Sequence, residues 1–145
     1  MTQVDFYILA QAQQRGLFAC RLAEKIYRLG KRVYIHTANE QHSRMFDDLL
    51  WTFQSGSFIP HECYQDQAAS QSPVVIGHHA QPVAEADVLI NMSDEFPMFY
   101  SRFARVAEVV DGEEAVKIKG RDRFRLYREQ GCTMLSHSID ATSFV

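Results

Sequence analysis

The sequence predicts a three-layer α/β domain in which a mostly parallel sheet lies between helices on both of its faces. Short, apolar, β-rich segments alternate along the chain with longer segments whose apolar residues recur at helical spacing. The strand segments have nearly continuous apolar centres, which is typical of parallel strands that are covered on both sides. Right-handed crossovers between such strands would place helices on both faces of the sheet.

The first half of the chain predicts a strand, a helix, a second strand and a second helix, in that order. Residues 4–10 are mostly apolar and rich in β-forming residues. The apolar residues of 14–29 have helical spacing, and Gly30 follows them as a typical residue after a helix end. A strand is then predicted at 33–38, and Asn39 is a good N-cap for the next helix.

The second half opens with a break in the periodic pattern. Pro60 and the Gly and Ser residues before it end the second helix, and the polar stretch 64–72 is expected to form an exposed loop. A third helix is predicted from Ser93, with Pro97 in its first turn. This helix would carry Met98, Phe99, Phe103 and Val106. The other predicted elements are strands at 73–77, 86–93 and 105–111, a last helix at 113–130 and a final strand at 132–139.

Size and composition predict a single globular domain spanning residues 1–145. Hydrophobic residues make up 46% and charged residues 23% of the chain, so extensive disorder is not expected. No apolar run is long enough for a membrane span, and the first residues lack the basic start of a signal peptide. The formal net charge of −3 argues against direct sequence-specific DNA binding.

The three cysteines are odd in number and widely separated, so they do not predict a zinc ribbon or a redox dithiol. Their pattern fits a reducing compartment, and we expect the protein to be cytoplasmic. Six histidines include one adjacent pair, His78 and His79, but adjacent residues rarely bind one ion together. We therefore expect no metal site.

Motifs of the enzymes that share this fold are missing from the sequence. A Rossmann-like sheet that binds a nucleotide needs glycines in the turn after its first strand, and this turn, AQAQQRG, has Gly16 alone. A GxSxG nucleophile elbow is also missing. We expect no catalytic residues and no cofactor. A small-molecule or nucleotide-binding α/β enzyme is kept as the alternative function, because this fold hosts many activities.

The last predicted helix has a basic stripe beside an apolar one. Lys117, Arg121, Arg125 and Arg128 recur at i, i+4, i+8 and i+11, and Val116, Gly120, Phe124 and Tyr127 form the neighbouring apolar stripe. An ordinary amphipathic helix with a solvated basic face explains this pattern. A cradle for an anionic peptide with an apolar end explains it too, because arginine binds a carboxylate through two hydrogen bonds. Direct binding of single-stranded DNA would need stacking aromatics, and the pattern places Phe124 and Tyr127 inward.

A second group of candidate residues is aromatic and apolar. Trp51, the only tryptophan, lies at the end of the second helix, and Phe58, Ile59 and Pro60 follow in the adjoining segment. Aromatic residues at a helix end and in a loop are candidates for anchors at a protein interface. They could equally fold back over the core, and the pattern does not separate these two interpretations.

Taken together, the motifs resemble the chi subunit of bacterial DNA polymerase III. The resemblance extends from about Phe6 to Ser138. The motifs that carry it are FYIL at 6–9, GKRVYI at 30–35, LW at 50–51, SFIPH at 57–61, DVLINM at 87–92, VVD at 109–111 and RDRFRLYREQG at 121–131. It implies a Rossmann-type fold without a nucleotide site, in a non-catalytic subunit that links the clamp loader, through a psi subunit, to single-stranded DNA-binding protein.

The resemblance also implies roles for both groups of residues. Lys117 and Arg121 match a basic pair that meets the acidic C-terminal tail of single-stranded DNA-binding protein, whose last residue is apolar. Arg121 would bind the terminal carboxylate, and Lys117 and Arg125 would attract the acidic residues before it. Val110 and the apolar stripe, including Phe124, would form the pocket for the terminal side chain. Trp51 and Phe58 match an aromatic surface for psi or for a helicase-like protein.

Overall fold

The computed structural model of the chain describes residues 2–54, 58–63, 72–78 and 86–139. These residues form seven strands, three α-helices and one short 3₁₀ turn. The strands are β1 (Gln3–Leu9), β2 (Val33–His36), β3 (His61–Cys63), β4 (Val74–Gly77), β5 (Val88–Asn91), β6 (Arg105–Val110) and β7 (Thr133–Ile139), and the helices are α1 (Arg15–Arg28), α2 (Glu40–Thr52) and α3 (Glu114–Glu129). Most of the predicted loop 64–72, His79 of the histidine pair and the C-terminal residues 140–145 lie outside the described ranges.

The strands form one sheet in the order β3-β4-β2-β5-β6-β1-β7, and every pairing between neighbours is parallel. Helices α1 and α2 pack on one face, against alternate strand residues such as Ile35 and Ile90. Helix α3 packs on the other face, against residues such as Phe6 and Val106. This arrangement confirms the predicted three-layer α/β fold. Helices cover both faces because successive residues of a strand point to opposite faces of the sheet, and the residues on each face are largely apolar.

Local signals placed the helix ends correctly. The side chain of Asn39 accepts a hydrogen bond of 2.9 Å from the backbone N–H of His42, as expected for an N-cap. Gly30 and Gly131 follow α1 and α3 with φ angles of 78° and 82°, a conformation that glycine adopts without strain.

The helix predicted from Ser93 is wrong. The segment between β5 and β6 is irregular apart from the 3₁₀ turn at Tyr100–Arg102. The Ser93 hydroxyl donates to the Asn91 side chain at 2.9 Å, and the predicted helical residue Val106 belongs to β6. Phe99 and Phe103 instead pack against Tyr34 of β2, with ring centroids 6.3 and 6.1 Å from it. The helical spacing of these rings therefore reflects packing of an irregular crossover on the sheet.

Strand β3 was not predicted. It has three residues in a segment interpreted as a break, and its register with β4 aligns His61 with Val74. Such pairing depends on a strand distant in sequence, so local composition could not reveal it.

Asp5 on β1 ties three neighbouring strands together. Its carboxylate accepts hydrogen bonds from Arg105 Nη2 of β6 at 2.8 Å and from His137 Nε2 of β7 at 2.9 Å. Burial alone would raise the pKa of Asp5, but the hydrogen bonds from His137 and Arg105 and the Arg105 charge hold it below its ordinary value. Tyr7 stacks on the His137 ring at 4.9 Å. The long strand β7 is therefore anchored to β1 by side chains as well as by backbone pairing.

Candidate peptide-binding pocket on helix α3

Helix α3 lies very close to strand β6. A Cβ atom built on Gly120 would lie 2.7 Å from Cγ2 of Val110, closer than real Cβ contacts. Only glycine therefore permits the observed spacing. This contact connects two parts of the chain that the sequence had assigned to the same candidate site, the VVD segment and the basic helix.

A buried ion pair fixes α3 on the sheet. Glu108 of β6 is fully buried, and its carboxylate accepts hydrogen bonds from Arg123 Nε at 3.0 Å, from Asn91 Nδ2 at 2.8 Å and from Tyr127 Oη at 2.7 Å. Burial raises the pKa of Glu108 and, with the Glu108 charge, raises that of Tyr127. Sequence reasoning missed this network. The sequence signal for it was a carboxylate, Glu108, with apolar residues on both sides of it in the strand RVAEVV.

A cavity of about 310 Å³ opens between α3 and the end of the sheet that holds β6, β1 and β7. Its apolar surface comes from both layers, and Phe6 and Phe124 meet edge to face with ring centroids 5.1 Å apart. Two cations of the predicted stripe, Lys117 and Arg121, lie on its wall. The lining residues are Phe6, Ile8, Val110, Lys117, Gly120, Arg121, Phe124 and Ser136.

The four predicted cations fall into two groups. Lys117 is half-buried and Arg121 is exposed, and within the described ranges no carboxylate lies within 4.0 Å of either cationic group. Arg125 and Arg128 are also exposed but are not part of the cavity wall. Arg125 forms an ion pair of 3.5 Å with Asp122, both of them exposed, so this pair contributes little. The cavity thus combines apolar walls with two cations that have no described acidic partner.

The turn after β1 shows how the fold uses the position where related folds bind phosphate. Asp111, the last residue of VVD, accepts hydrogen bonds from the backbone N–H groups of Gln13 at 3.0 Å and of Glu113 at 2.9 Å. Gln13 has a φ angle of 63°, and Gly112 packs against the backbone of Ala12. In this structure the backbone donors of Gln13 and Glu113 are thus directed to the protein's own carboxylate.

The second candidate group is divided by burial. Trp51 and Phe58 are 52% and 64% exposed, with ring centroids 5.5 Å apart, and form a continuous surface that we call the aromatic patch. His61 lies beneath Trp51 at 4.6 Å, and its Nδ1 lies 2.6 Å from the carbonyl oxygen of Ile59. Ile59 itself is 2% exposed and belongs to the core, so its side chain is not part of the aromatic patch. Pro60, the next residue along the chain, is half-buried.

A larger cavity, of about 570 Å³, lies on the opposite flank of α3, outside the carboxyl ends of β2, β4 and β5. Its wall includes side chains of both signs, among them Asp94 and Lys119, which form an ion pair of 3.3 Å. Among the described residues, no three His, Cys, Asp or Glu side chains are grouped so that they could hold a metal ion. The described helices lack the length and the apolar character that a membrane span requires.

A family model and the similar sequences point to one family. The family model described as "DNA polymerase III chi subunit, HolC" matches residues 1–135. The chain is 43% identical over 141 residues to the DNA polymerase III subunit chi of Pseudomonas aeruginosa, with 96% of this chain and 98% of that protein covered. It is 30% identical over 138 residues to the Escherichia coli subunit chi, with 90% of this chain and 94% of that protein covered.

The fold is shared with a longer protein of distant sequence. The crystal structure of T4 UvsW superimposes with a TM-score of 0.69 at 9% sequence identity. The match covers 96% of this chain but 42% of the T4 chain. At this identity the likeness concerns the fold alone.

Proposed function

The chain belongs to the DNA polymerase III chi subunit family, and from this premise we propose that it is a non-catalytic, cytoplasmic adaptor of the replication machinery. It would link the clamp loader, through a psi-type subunit, to the acidic C-terminal tail of single-stranded DNA-binding protein. The observation that carries the proposal is the α3 cavity, in which Lys117 and Arg121 stand beside an apolar hollow.

The chemistry of this cavity suits the end of an acidic peptide. A terminal carboxylate is an anion with two oxygen acceptors, and the Arg121 guanidinium can donate two parallel hydrogen bonds to it. The apolar side chain of the same last residue would enter the hollow between Val110 and Phe124. Lys117, Arg125 and Arg128 would attract the acidic residues that precede it, at a range limited by salt.

Fluorescence anisotropy with a labelled acidic peptide ending in Pro-Phe tests this proposal. We expect micromolar-scale binding that weakens as salt is added. Arg121→Ala should cost about 1.5–3 kcal/mol, the range for a hydrogen bond to a charged group, and so weaken binding tenfold or more. Arg28→Ala is the matched control, because it removes one exposed arginine from α1, on the other face of the sheet. Equal affinities of the two variants would refute the assignment of the pocket.

The aromatic patch is proposed as the surface for the psi-type subunit, or for a helicase-like protein that competes for the same place. Exposed Trp and Phe side chains in contact with each other resemble the anchors that dominate protein interfaces. Trp51→Ala should weaken the complex with a purified psi-type subunit by about 2 kcal/mol or more. Met98, which is 79% exposed, gives a matched control, since Met98→Ala removes an exposed apolar side chain elsewhere. If titration calorimetry gives the same Kd for both variants, the aromatic patch is not the binding surface for the psi-type subunit.

The alternative, a small-molecule or nucleotide-binding enzyme, has one observation in its favour. The 570 Å³ cavity lies outside the carboxyl ends of parallel strands, where α/β enzymes bind their ligands. A ligand that binds only the folded state raises the Tm. A reproducible rise with ATP or NAD, together with no rise for the acidic peptide, would reverse the order of the two proposals.

A further inference from the structure

Strand β7 forms one edge of the described sheet and lacks the usual protection of an edge strand. It has seven residues, and none of them is Lys, Arg, Asp, Glu or Pro. The strand at the opposite edge, β3, has three residues and includes Glu62. Short length, charge, proline and bulges are the devices that normally keep an edge from pairing with another chain. Among the described residues, β7 is therefore a long edge strand that has neither the short length nor the charged residues and proline that discourage pairing.

The backbone pattern shows which groups of β7 point away from the sheet. The N–H of Thr133 donates to the carbonyl of Thr2, and the carbonyl of Ile139 accepts from the N–H of Ala10. In a strand, alternate residues direct their N–H and C=O groups to the same side. Positions 133, 135, 137 and 139 therefore face β1. The N–H and C=O groups of Met134, Ser136 and Ser138 face the open edge.

This edge is continuous with the α3 cavity. Ser136 contributes to the cavity lining, while its backbone N–H and C=O point to the open edge. Ile8, which lines the same cavity from β1, is 40% exposed. One extended chain could therefore leave the cavity over Ser136 and continue beside β7 without a gap.

Charge decides which kind of chain fits. Lys117 and Arg121 lie on the flank of α3 that faces β7, because both share the cavity wall with Ser136. Arg125 and Arg128 continue the same stripe along α3 by helical spacing. A second copy of this chain, paired antiparallel through β7, would keep its own α3 on the same face of the joined sheet. The two basic stripes would then face each other and repel. An acidic strand would be attracted by the same stripe.

We propose that the open edge of β7 binds the segment preceding the anionic end of an acidic peptide, as a strand added to the sheet. This inference rests on the proposed function, since the end of the same peptide would occupy the α3 cavity. Main-chain hydrogen bonds would supply affinity without demanding a particular side chain at each position. The basic stripe would select for acidic sequences among all extended peptides.

Ser138→Pro tests whether the outer edge of β7 pairs with the peptide, because proline removes the N–H of residue 138 that points away from the sheet. The hydrogen bonds between β7 and β1 do not involve this N–H and are kept. Ser138→Ala is the matched control that keeps the N–H. Two labelled acidic peptides with the same Pro-Phe end are compared. The short peptide has about four residues, and at about 3.3 Å per residue it is long enough to occupy the pocket only. The long peptide has about ten residues and reaches the edge of β7.

We expect Ser138→Pro to weaken the long peptide about fivefold, the effect of one ordinary hydrogen bond, and to leave the short peptide within about twofold. Ser138→Ala should change neither. Equal affinities of Ser138→Pro and Ser138→Ala for the long peptide would overturn the added strand while leaving the pocket in place. The pocket is tested separately by measuring the affinity of Arg121→Ala for the short peptide, which should be weakened although that peptide does not reach the edge.

Hydrogen exchange on the unmodified protein gives a second measurement that needs no variant. The long peptide should slow exchange of the amide protons of Met134, Ser136 and Ser138, and the short peptide should not slow exchange at Ser138. If neither peptide protects these three amides, the edge is not paired and the inference fails.

Discussion

The close contact of α3 with β6 predicts that one substitution will have opposite effects in two backgrounds. In Gly120→Ala the new Cβ would lie 2.7 Å from Cγ2 and 3.6 Å from Cγ1 of Val110. Carbon atoms pack at about 3.5–4.0 Å, so the first distance must increase by about 1 Å. Val110 is stiff about its first side-chain torsion, and the backbone of either element would have to move.

Two terms determine the size of the effect. Overpacking of this kind costs about 1–3 kcal/mol. Alanine is favoured over glycine within a helix by about 1 kcal/mol. Gly120→Ala should therefore lower the free energy of unfolding by about 1 kcal/mol, within a range of about 0–2. For a domain of this size the Tm should fall by about 3 °C per kcal/mol.

The Val110→Ala background removes both γ carbons and leaves the Cβ atom of residue 110, which would lie 3.8 Å from the new Cβ of residue 120, an ordinary contact. Only the helix term then remains. Adding Gly120→Ala to Val110→Ala should raise the free energy of unfolding by about 1 kcal/mol relative to Val110→Ala alone. The coupling between the two sites should be about 1–3 kcal/mol.

Urea unfolding of the four proteins, followed by circular dichroism, measures this coupling. Equal effects of Gly120→Ala in both backgrounds would refute the reasoning, because the contact with the γ carbons would then not be what requires glycine. A stabilising effect in the unmodified background would show that α3 moves at little cost.

Three further predictions concern buried groups. Arg123→Met leaves the Glu108 carboxylate buried without its cation and should lower the free energy of unfolding by about 3–5 kcal/mol in the same urea assay. The double variant with Glu108→Leu should recover part of this lost stability. The pKa of Asp5 is lowered on folding, so its contribution to stability is present above its ordinary pKa of 3.8 and is lost as the pH falls through the lower folded value. Unfolding measured at a series of pH values should therefore show a weaker loss of stability below about pH 4 for Asp5→Asn than for the unmodified protein. Burial raises the pKa of the Cys20 thiol to about 12. We therefore expect iodoacetamide to leave Cys20 unmodified in the native protein and to label the half-buried Cys132, as measured by peptide mass spectrometry. Equal labelling rates of the two cysteines would contradict the packing of α1.

The candidate pocket could be predicted in part from helical spacing. Lys117, Arg121 and Phe124 were placed on adjoining stripes of one helix because a period of 3.6 residues is a local property of the chain. Val110 was added through the family resemblance, and the structure brings it to the same cavity. The cavity also needs Phe6, Ile8 and Ser136, which belong to two other strands, and no local pattern links them to α3.

Burial separated residues that the sequence had grouped together. Trp51, Phe58, Ile59 and Pro60 were assigned to one interface because they are apolar and close in sequence. The structure exposes Trp51 and Phe58 but buries Ile59, since that side chain packs into the core on the face of the sheet covered by α1 and α2. The helix expected from Ser93 failed for a related reason, because apolar rings at helical spacing also suit an irregular segment packed on a sheet.

The fold class, the ends of the helices and the basic stripe could be predicted from the order of residues, since hydrophobic periodicity, caps and helical spacing depend on neighbouring residues. Four features required the folded chain: the strand order, the 2.7 Å approach that requires Gly120, the ion pair of Glu108 and Arg123, and the opening of the pocket onto β7. These features join residues that are far apart along the chain. Their free energy comes from packing and desolvation, which a local pattern does not encode.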